Sequence, residues 1–352
     1  MKILTMLNTK FELIKSTFNQ INFKELSNQA VTIFKNNFQD VISKSKNIAQ
    51  TNFDLGMYHY LLGNRSDAIL RFNIAKFINP NYIASDYYIG RCYLESFKHQ
   101  KARVYFEKYL NSKHQDFIEE TQYCINLLNN KAAEISSIPK SIIKATFDII
   151  AQALDNNKII IQQQDIIPQQ SLFSSTIQLL MAKNKPFGND ILDIGSGTGI
   201  MGKFCRVQKI ANIIMGVDIS SLMARRASYL MLDDMKVYNN VKVIDYESYL
   251  KDPNTLNFNF DIIFASDLIT YNSNLDFFFQ NIYPIVKEAG LLGITFKTTN
   301  NKDVEFKPLF EQFYFSSEYV KTIADKYSWK LVKEENTTFS NNEQGKVIIF
   351  SK

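Results

Sequence analysis

Apolar residues recur at helical spacing through the first 130 positions, with three glycines, one proline and no alternating stretch, which predicts an all-helical half. Beyond residue 190 the pattern changes. DILDIG, NIIMGVD, VKVID, FDIIFAS and LLGITFK are short apolar runs of the kind buried in a parallel sheet, and helical patterns near 199–207, 220–232 and 275–287 separate them. Strand and helix in alternation predict right-handed crossover units and a parallel sheet covered on both faces. Between the halves, NNKAAEISSIPKS reads as a linker, ending where Pro139 opens a helix. The expected organisation is therefore α + α/β, with a helical part at 1–130 and a sheet domain at 131–352.

Within the helical half the pattern repeats. Leu55, Gly56, Gly63, Ala68, Phe72 and Ala75 are followed one 34-residue period later by Ile89, Gly90, Phe97, Ala102, Phe106 and Tyr109. The small residues suit places where antiparallel helices cross closely, and Phe72 and Phe106 would fill the space beside them. Gly63 against Phe97, and Pro80 against His114, are mismatches. Period and residue classes resemble the tetratricopeptide repeat over 49–116, the alternative being an irregular helical bundle. Such units stack, so helices over 10–48 and 117–130 would cap them. Their concave surface would suit a peptide or protein partner.

At 352 residues the chain can bury two cores, and its hydrophobic fraction of 45% is that of a globular protein. No run approaches the roughly 18–20 apolar residues of a membrane helix, and MKILTMLNTKFELIK lacks the features of an export signal. Cys92, Cys124 and Cys205 form neither a disulfide framework nor a zinc site, which points to a reducing cytoplasm and to no bound metal. Residues 1–130 hold 16 Lys+Arg against 11 Asp+Glu and so carry the whole net charge of +5. Spread over many helical turns, that excess is a solvated surface and not the dense basic stripe that nucleic acid requires.

Candidate chemistry concentrates at ILDIGSGTGI, residues 191–200. Five of the chain's 12 glycines, Gly195, Gly197, Gly199, Gly202 and Gly216, fall within 22 residues here. A glycine loop at the end of a strand lets a ligand approach bare backbone. A dinucleotide fingerprint wants G-x-G-x-x-G, and the third place in that spacing is Ile200. The second strand ends in GVDIS, where Asp218 can accept from two ribose hydroxyls of either NAD or S-adenosylmethionine. VIDYES at the third strand end supplies Asp245. Taken singly, each acid has a structural reading as a cap or turn residue.

The G-x-G-x-G of Gly195, Gly197 and Gly199, preceded by Asp193, resembles the first motif of class I S-adenosylmethionine-dependent methyltransferases. IPKSIIKATFDIIAQALD at 138–155, then ILDIGSGTGIMG, GVDISSLMARRA, FDIIFASDLITYNSNL and EAGLLGITFK, are similar in order to predicted methyltransferases that carry tetratricopeptide repeats. The resemblance implies a Rossmann-like domain with a mostly parallel seven-stranded sheet and S-adenosylmethionine as cofactor. It implies contacts from Asp193, Gly195, Ser196, Gly197 and Gly199, with Asp218 on the ribose, Asp245 on the adenine amino group and Tyr246 or Ile219 against the ring. After the fourth strand, Asp267 and Tyr271 stand where an acceptor meets the methyl group; Asp267 would accept a proton or hold a cation, and Tyr271 would orient the acceptor. None of the three histidines, His59, His99 and His114, belongs to the sheet domain.

Two departures fall on the expected substrate side: Ile150 stands where relatives often have an aromatic hydroxyl, and FYFSS at 313–317 replaces Arg-Tyr-x-His. The leading expectation is methyl transfer, slightly favouring a protein acceptor. A quinone or lipid precursor is the small-molecule alternative, and a catalytically silent cofactor-binding scaffold or a dehydrogenase are the others.

Overall fold

Ile191, Leu192 and Ile194 are buried completely, which is possible for consecutive residues only in a strand covered on both faces. Their strand, β1 (Asn189–Ile194), runs through the middle of a sheet that also holds β2 (Ala211–Asp218), β3 (Asn240–Val243), β4 (Phe260–Ser266), β5 (Val286–Lys297), β6 (Lys330–Thr338) and β7 (Gln344–Ser351), in the order β6-β7-β5-β4-β1-β2-β3. The structure is a computed structural model that describes residues 47–352 except 113, 115 and 301. β1 to β5 pair in parallel, while β7 and β6 add antiparallel to the β5 edge. The mostly parallel seven-stranded sheet thus matches the expectation, and its two last strands are ones the apolar runs did not single out.

Two element ends differ from the sequence reading. The helix expected over 220–232 stops at Tyr229, because Met231–Leu232 turns back to pair with Met235–Lys236 in a hairpin. The helix expected over 275–287 stops at Ile282, just before Pro284, which brings no N–H to continue it. Nor is 129–141 a loose linker. Ala132–Glu134 forms a short 3-10 turn, Ile135 and Ile138 are buried, and Ile138 N–H donates to the Tyr271 carbonyl at 3.0 Å.

Helices α1 (residues 47–61), α2 (Arg65–Ile78), α3 (Ala84–Glu95), α4 (His99–Leu110) and α5 (Ile118–Leu128) precede the sheet. The helices expected over 10–48 lie, but for the last two positions, outside the described residues. The repeated spacing has a repeated physical content. A Cβ on Gly56 would stand 2.6 Å from the Phe72 ring, and a Cβ on Gly90 would stand 2.6 Å from the Phe106 ring. Each glycine admits an aromatic face into the helix crossing, and Ala68, Phe72, Ala102 and Phe106 are all without exposure.

One apolar cluster joins the halves, running from Phe106, Tyr109 and Tyr123 through Ile135 and Ile138 to Phe296, Phe313 and Phe315. Tyr123 also donates from its hydroxyl to Glu311 at 3.1 Å. The opposite sheet face packs against Leu172 and Phe173 of α7 (Ile167–Ala182); α6 (Lys140–Asp155) precedes it. Among the described residues no helix is long and apolar enough to cross a membrane.

Gly90→Ala should therefore destabilise the chain by about 1–3 kcal/mol, the range for overpacking, although alanine is the better helix former by about 1 kcal/mol. Urea unfolding checks this, and Phe106→Leu in the same chain should recover part of the loss.

Candidate functional site

Strand order reverses between β1 and β4, and in an open parallel sheet that reversal opens a crevice beyond the strand ends. A cleft of about 480 Å³ lies there, lined by Asp193, Gly195, Ser196, Gly197, Asp218, Ile219, Asp245, Tyr246, Asp267 and Tyr271. Gly199 is the one sequence-predicted site residue that does not line it. A Cβ on Gly199 would meet Leu230 at 2.9 Å and the Tyr238 ring at 3.1 Å, so this glycine serves close packing behind the loop.

The loop itself is left-handed at all three glycines, with φ of +76° at Gly195, +52° at Gly197 and +90° at Gly199. Only Gly195's own carbonyl comes within 4 Å of a Cβ built on Gly197, at 3.9 Å, so its open side presents bare backbone. Asp218 ties this loop to the end of β2: its Oδ2 accepts from Gly197 N–H and its Oδ1 from Ser220 N–H, both at 2.8 Å. Burial raises the Asp218 carboxyl above its usual value, against the pull of those two donors. Ser196 Oγ is buried with no hydrogen-bond partner among the described residues.

Asp193 is 3% exposed at the end of β1, between Gly216 and Phe264 in the register. Its Oδ2 accepts from the Tyr238 hydroxyl at 2.6 Å, and that hydroxyl in turn accepts from Gly202 N–H at 3.1 Å. Burial pushes Asp193 up to about 7; Tyr238 opposes the shift and the charge of Asp218 adds to it. Tyr238 also fills the space against Gly199, Gly202 and Gly216, which explains glycines that face no ligand.

Asp245 heads the helix Tyr246–Lys251 and accepts from Ser248 N–H at 3.1 Å, so it is a helix cap and not simply a turn residue. The same Oδ1 accepts from Lys140 Nζ at 2.6 Å, and Lys140 also reaches Glu247 at 2.9 Å. Burial acts to raise Asp245, but Lys140 and Ser248 outweigh it and hold the carboxyl below its usual value.

Asp267 follows β4 with φ +54°, a strained setting for a side chain with a Cβ. It does not cap the short turn after it, Ile269–Tyr271, which has no side-chain cap. Its N–H donates to Thr295 Oγ1 at 3.0 Å, Oδ2 lies 3.6 Å from Lys297 Nζ, and Oδ1 is shielded without a partner among the described residues. Burial raises its carboxyl, opposed by Lys297 and Gln312. Tyr271 meets the Phe147 ring edge-on at 6.1 Å and is raised by burial and by the Asp267 charge.

Of the remaining wall, the sequence singles out only Ile150, as a departure on the substrate side. Ile143, Phe147, Ile150 and Leu154 recur on one face of α6, and Ile159, Ile160, Ile161, Asp165 and Gln169 continue it into α7. The 3.6-residue spacing within α6 was a usable signal; nothing local marked Tyr238 or Lys297. Of the two departures, Ile150 lines the cleft, whereas Phe313, Tyr314 and Phe315 are buried in the core and do not. No histidine lines it, and Cys205 is a buried core residue.

A family model described as a methyltransferase domain matches residues 192–292. The matched stretch runs from within β1 to the middle of β5. No curated protein sequence matches. Among solved structures, the chain is similar to magnesium protoporphyrin IX methyltransferase from Synechocystis PCC 6803 with bound S-adenosylhomocysteine, at 12% identity and a TM-score of 0.48, over 60% of this chain and 99% of that one. It is also similar to the [4+2]-cyclase SpnF, at 13% identity and 0.48, over 62% and 98%. The N-methyltransferase NodS from Bradyrhizobium japonicum WM9, with S-adenosylhomocysteine, shares 14% identity at 0.42, over 57% and 97%.

Tyr238→Phe should lower stability by about 1–3 kcal/mol, since a buried carboxylate loses its donor. Folding raises Asp193, so its ionisation costs stability as pH climbs from the ordinary carboxylate range to about 7. The variant's deficit in urea unfolding should accordingly be larger at pH 8 than at pH 5.

Proposed function

We propose that the chain binds S-adenosylmethionine across the ends of β1, β2 and β3 and transfers its methyl group to an acceptor seated beside Asp267 and Tyr271. The observation that carries this reading is the convergence of Asp193, Asp218 and Asp245, from the ends of three successive strands, on one cleft with the open backbone of Gly197. The matched methyltransferase domain supports it.

The residues present suit that cofactor. Asp218 has both oxygens fixed by backbone donors and keeps lone pairs for two ribose hydroxyls. Ile219 and Tyr246 offer apolar surface for a purine, and Asp245 accepts at the same end. Ser196 Oγ lacks a partner that a ligand would provide. Asp193 holds the amino group directly or through water. When bound, the cofactor supplies an electrophilic methyl carbon on a sulfonium. Transfer from it needs alignment more than a strong base, so Tyr271 and Phe147 orient the acceptor and Asp267 takes its proton.

We read the helical half as tetratricopeptide-like, on the duplicated glycine–phenylalanine crossings, and the chain as two domains meeting near residue 130. Protein or peptide recognition follows from the repeats alone. The cleft favours a small acceptor, because α6 and residues 159–161 wall its far side with isoleucine, phenylalanine and leucine. Three buried free cysteines accord with a cytoplasmic setting. A catalytically silent scaffold is the second reading, favoured by Ile150 in the wall where relatives often have an aromatic hydroxyl.

Calorimetry with S-adenosylhomocysteine tests the binding reading. Binding is expected with no response to NAD, and Asp218→Ala should weaken it at least about tenfold, the loss of one or two good hydrogen bonds. An ammonium held by Asp193 binds the ionised carboxylate, whose value in the free protein is about 7. Affinity should rise up to about tenfold per pH unit from pH 5.5 and level off above 7. Folded protein that ignores the nucleoside at millimolar concentration overturns the proposal. Tritiated methyl transfer into cell extract decides between enzyme and scaffold, with Asp193→Ala as the blank: label above the blank is expected, and its absence favours the scaffold.

A further inference from the structure

We infer that the acceptor is a small primary amine on an apolar body, its nitrogen held by Asp267. This rests on the methyl-transfer reading of the same cleft and adds the substrate class to it. The far wall carries the first half of the inference. Ile143, Phe147 and Ile150 of α6 line the cleft together with Ile159, Ile160 and Ile161, and the three consecutive isoleucines are 43%, 72% and 41% exposed. Three adjacent branched apolar side chains left in water at the lip of a cleft gain from an apolar ligand beneath them.

The polar end carries the second half. Asp267 Oδ1 lines the cleft shielded from solvent and without a hydrogen-bond partner among the described residues; Ser196 Oγ on the glycine loop and Gln169 Oε1 on α7 are unpartnered there too. Lys297 and Gln312 act on the Asp267 carboxyl, and neither lines the cleft. Lys140, the one lysine in the lining, is engaged by Asp245 and Glu247 at the opposite end, and Lys297 lies behind Asp267 on its Oδ2 side. A donor for the free oxygen of Asp267 can therefore come from a ligand. A carboxylate or phosphate brings no donor and would face the charge of Asp267; a hydroxyl brings a donor without charge; a primary amine brings donors and, when protonated, the opposite charge. Transfer at such a nitrogen balances: its lone pair forms the N–C bond, the C–S pair stays on sulfur, and an N–H proton passes to the Asp267 carboxylate. Burial raises Asp267, which suits it to that proton.

The experiment is calorimetry of the full chain saturated with S-adenosylhomocysteine, titrated with hexylamine, ethylamine, 1-hexanol and hexanoate. Hexylamine is expected to bind at least about tenfold more tightly than each of the other three. Ile160→Asp, at an exposed position, should erase most of the advantage of hexylamine over ethylamine, and Asp267→Asn should erase most of its advantage over hexanol. Hexanol or hexanoate binding as tightly as hexylamine overturns the amine assignment, and ethylamine equalling hexylamine overturns the apolar body. Because the nucleoside is titrated first, failure of the methyl-transfer reading shows as no binding at that stage, separate from failure of the amine inference.

Discussion

A carboxylate sealed at the head of a parallel sheet must have a donor, and the hydrogen bond from Tyr238 to Asp193 supplies it. The tyrosine does more than satisfy one oxygen. Its ring occupies the hollow left by Gly199, Gly202 and Gly216, and its hydroxyl accepts from the first turn of α8 (Ile200–Val207). Loop, helix start and two strands are thereby referenced to a single side chain. Asp218 completes the fastening by accepting from Gly197, so the loop is held from below by one residue and from the side by another. The backbone left facing the cleft is already in its ligand-ready shape, which spares a ligand the entropy of ordering it.

Acid chemistry in the cleft follows from the same burial. Asp193 and Asp218 are raised, whereas Asp245, at a helix start and beside Lys140, is lowered. Three carboxylates of one type thus meet three environments. Asp267 is a fourth case: its backbone is twisted into a left-handed conformation, anchored by Thr295, and one of its oxygens is committed to Lys297 while the other is not. Such asymmetry within one carboxylate is what separates a structural acid from one with capacity to spare.

Much of this was legible in the chain because strand-end acids and glycines sit at fixed places along a crossover fold. FDIIFAS coincides with β4, and the acids at 193, 218, 245 and 267 converge as their strand ends require. Tyr238 was not legible, since it reaches Asp193 from 45 residues away in a loop with no periodic signature. The antiparallel strands β6 and β7 were missed for a different reason. β6 is a half-exposed edge rich in Lys, Glu and Asn, whose residues resemble a solvated loop. The segment taken for a linker carries buried isoleucines too few to stand out in composition, yet enough to fix it against Tyr271. In the helical half, the doubled glycine–phenylalanine spacing was visible because each glycine answers a ring exactly one helix further on.

Helix α6 has two allegiances. Ile149 packs against the cluster of Tyr60, Phe72 and Ile89 in the helical half, while its neighbour Ile150 lines the cleft. Successive residues point about 100° apart on a helix, so a single rod is wedged between two interiors. Tilting or sliding it to make room on one side would open a seam on the other, and close-packed interiors yield little. The tolerance of the pocket toward bulk is therefore set from outside it, by a layer of helices that never touches what the pocket holds.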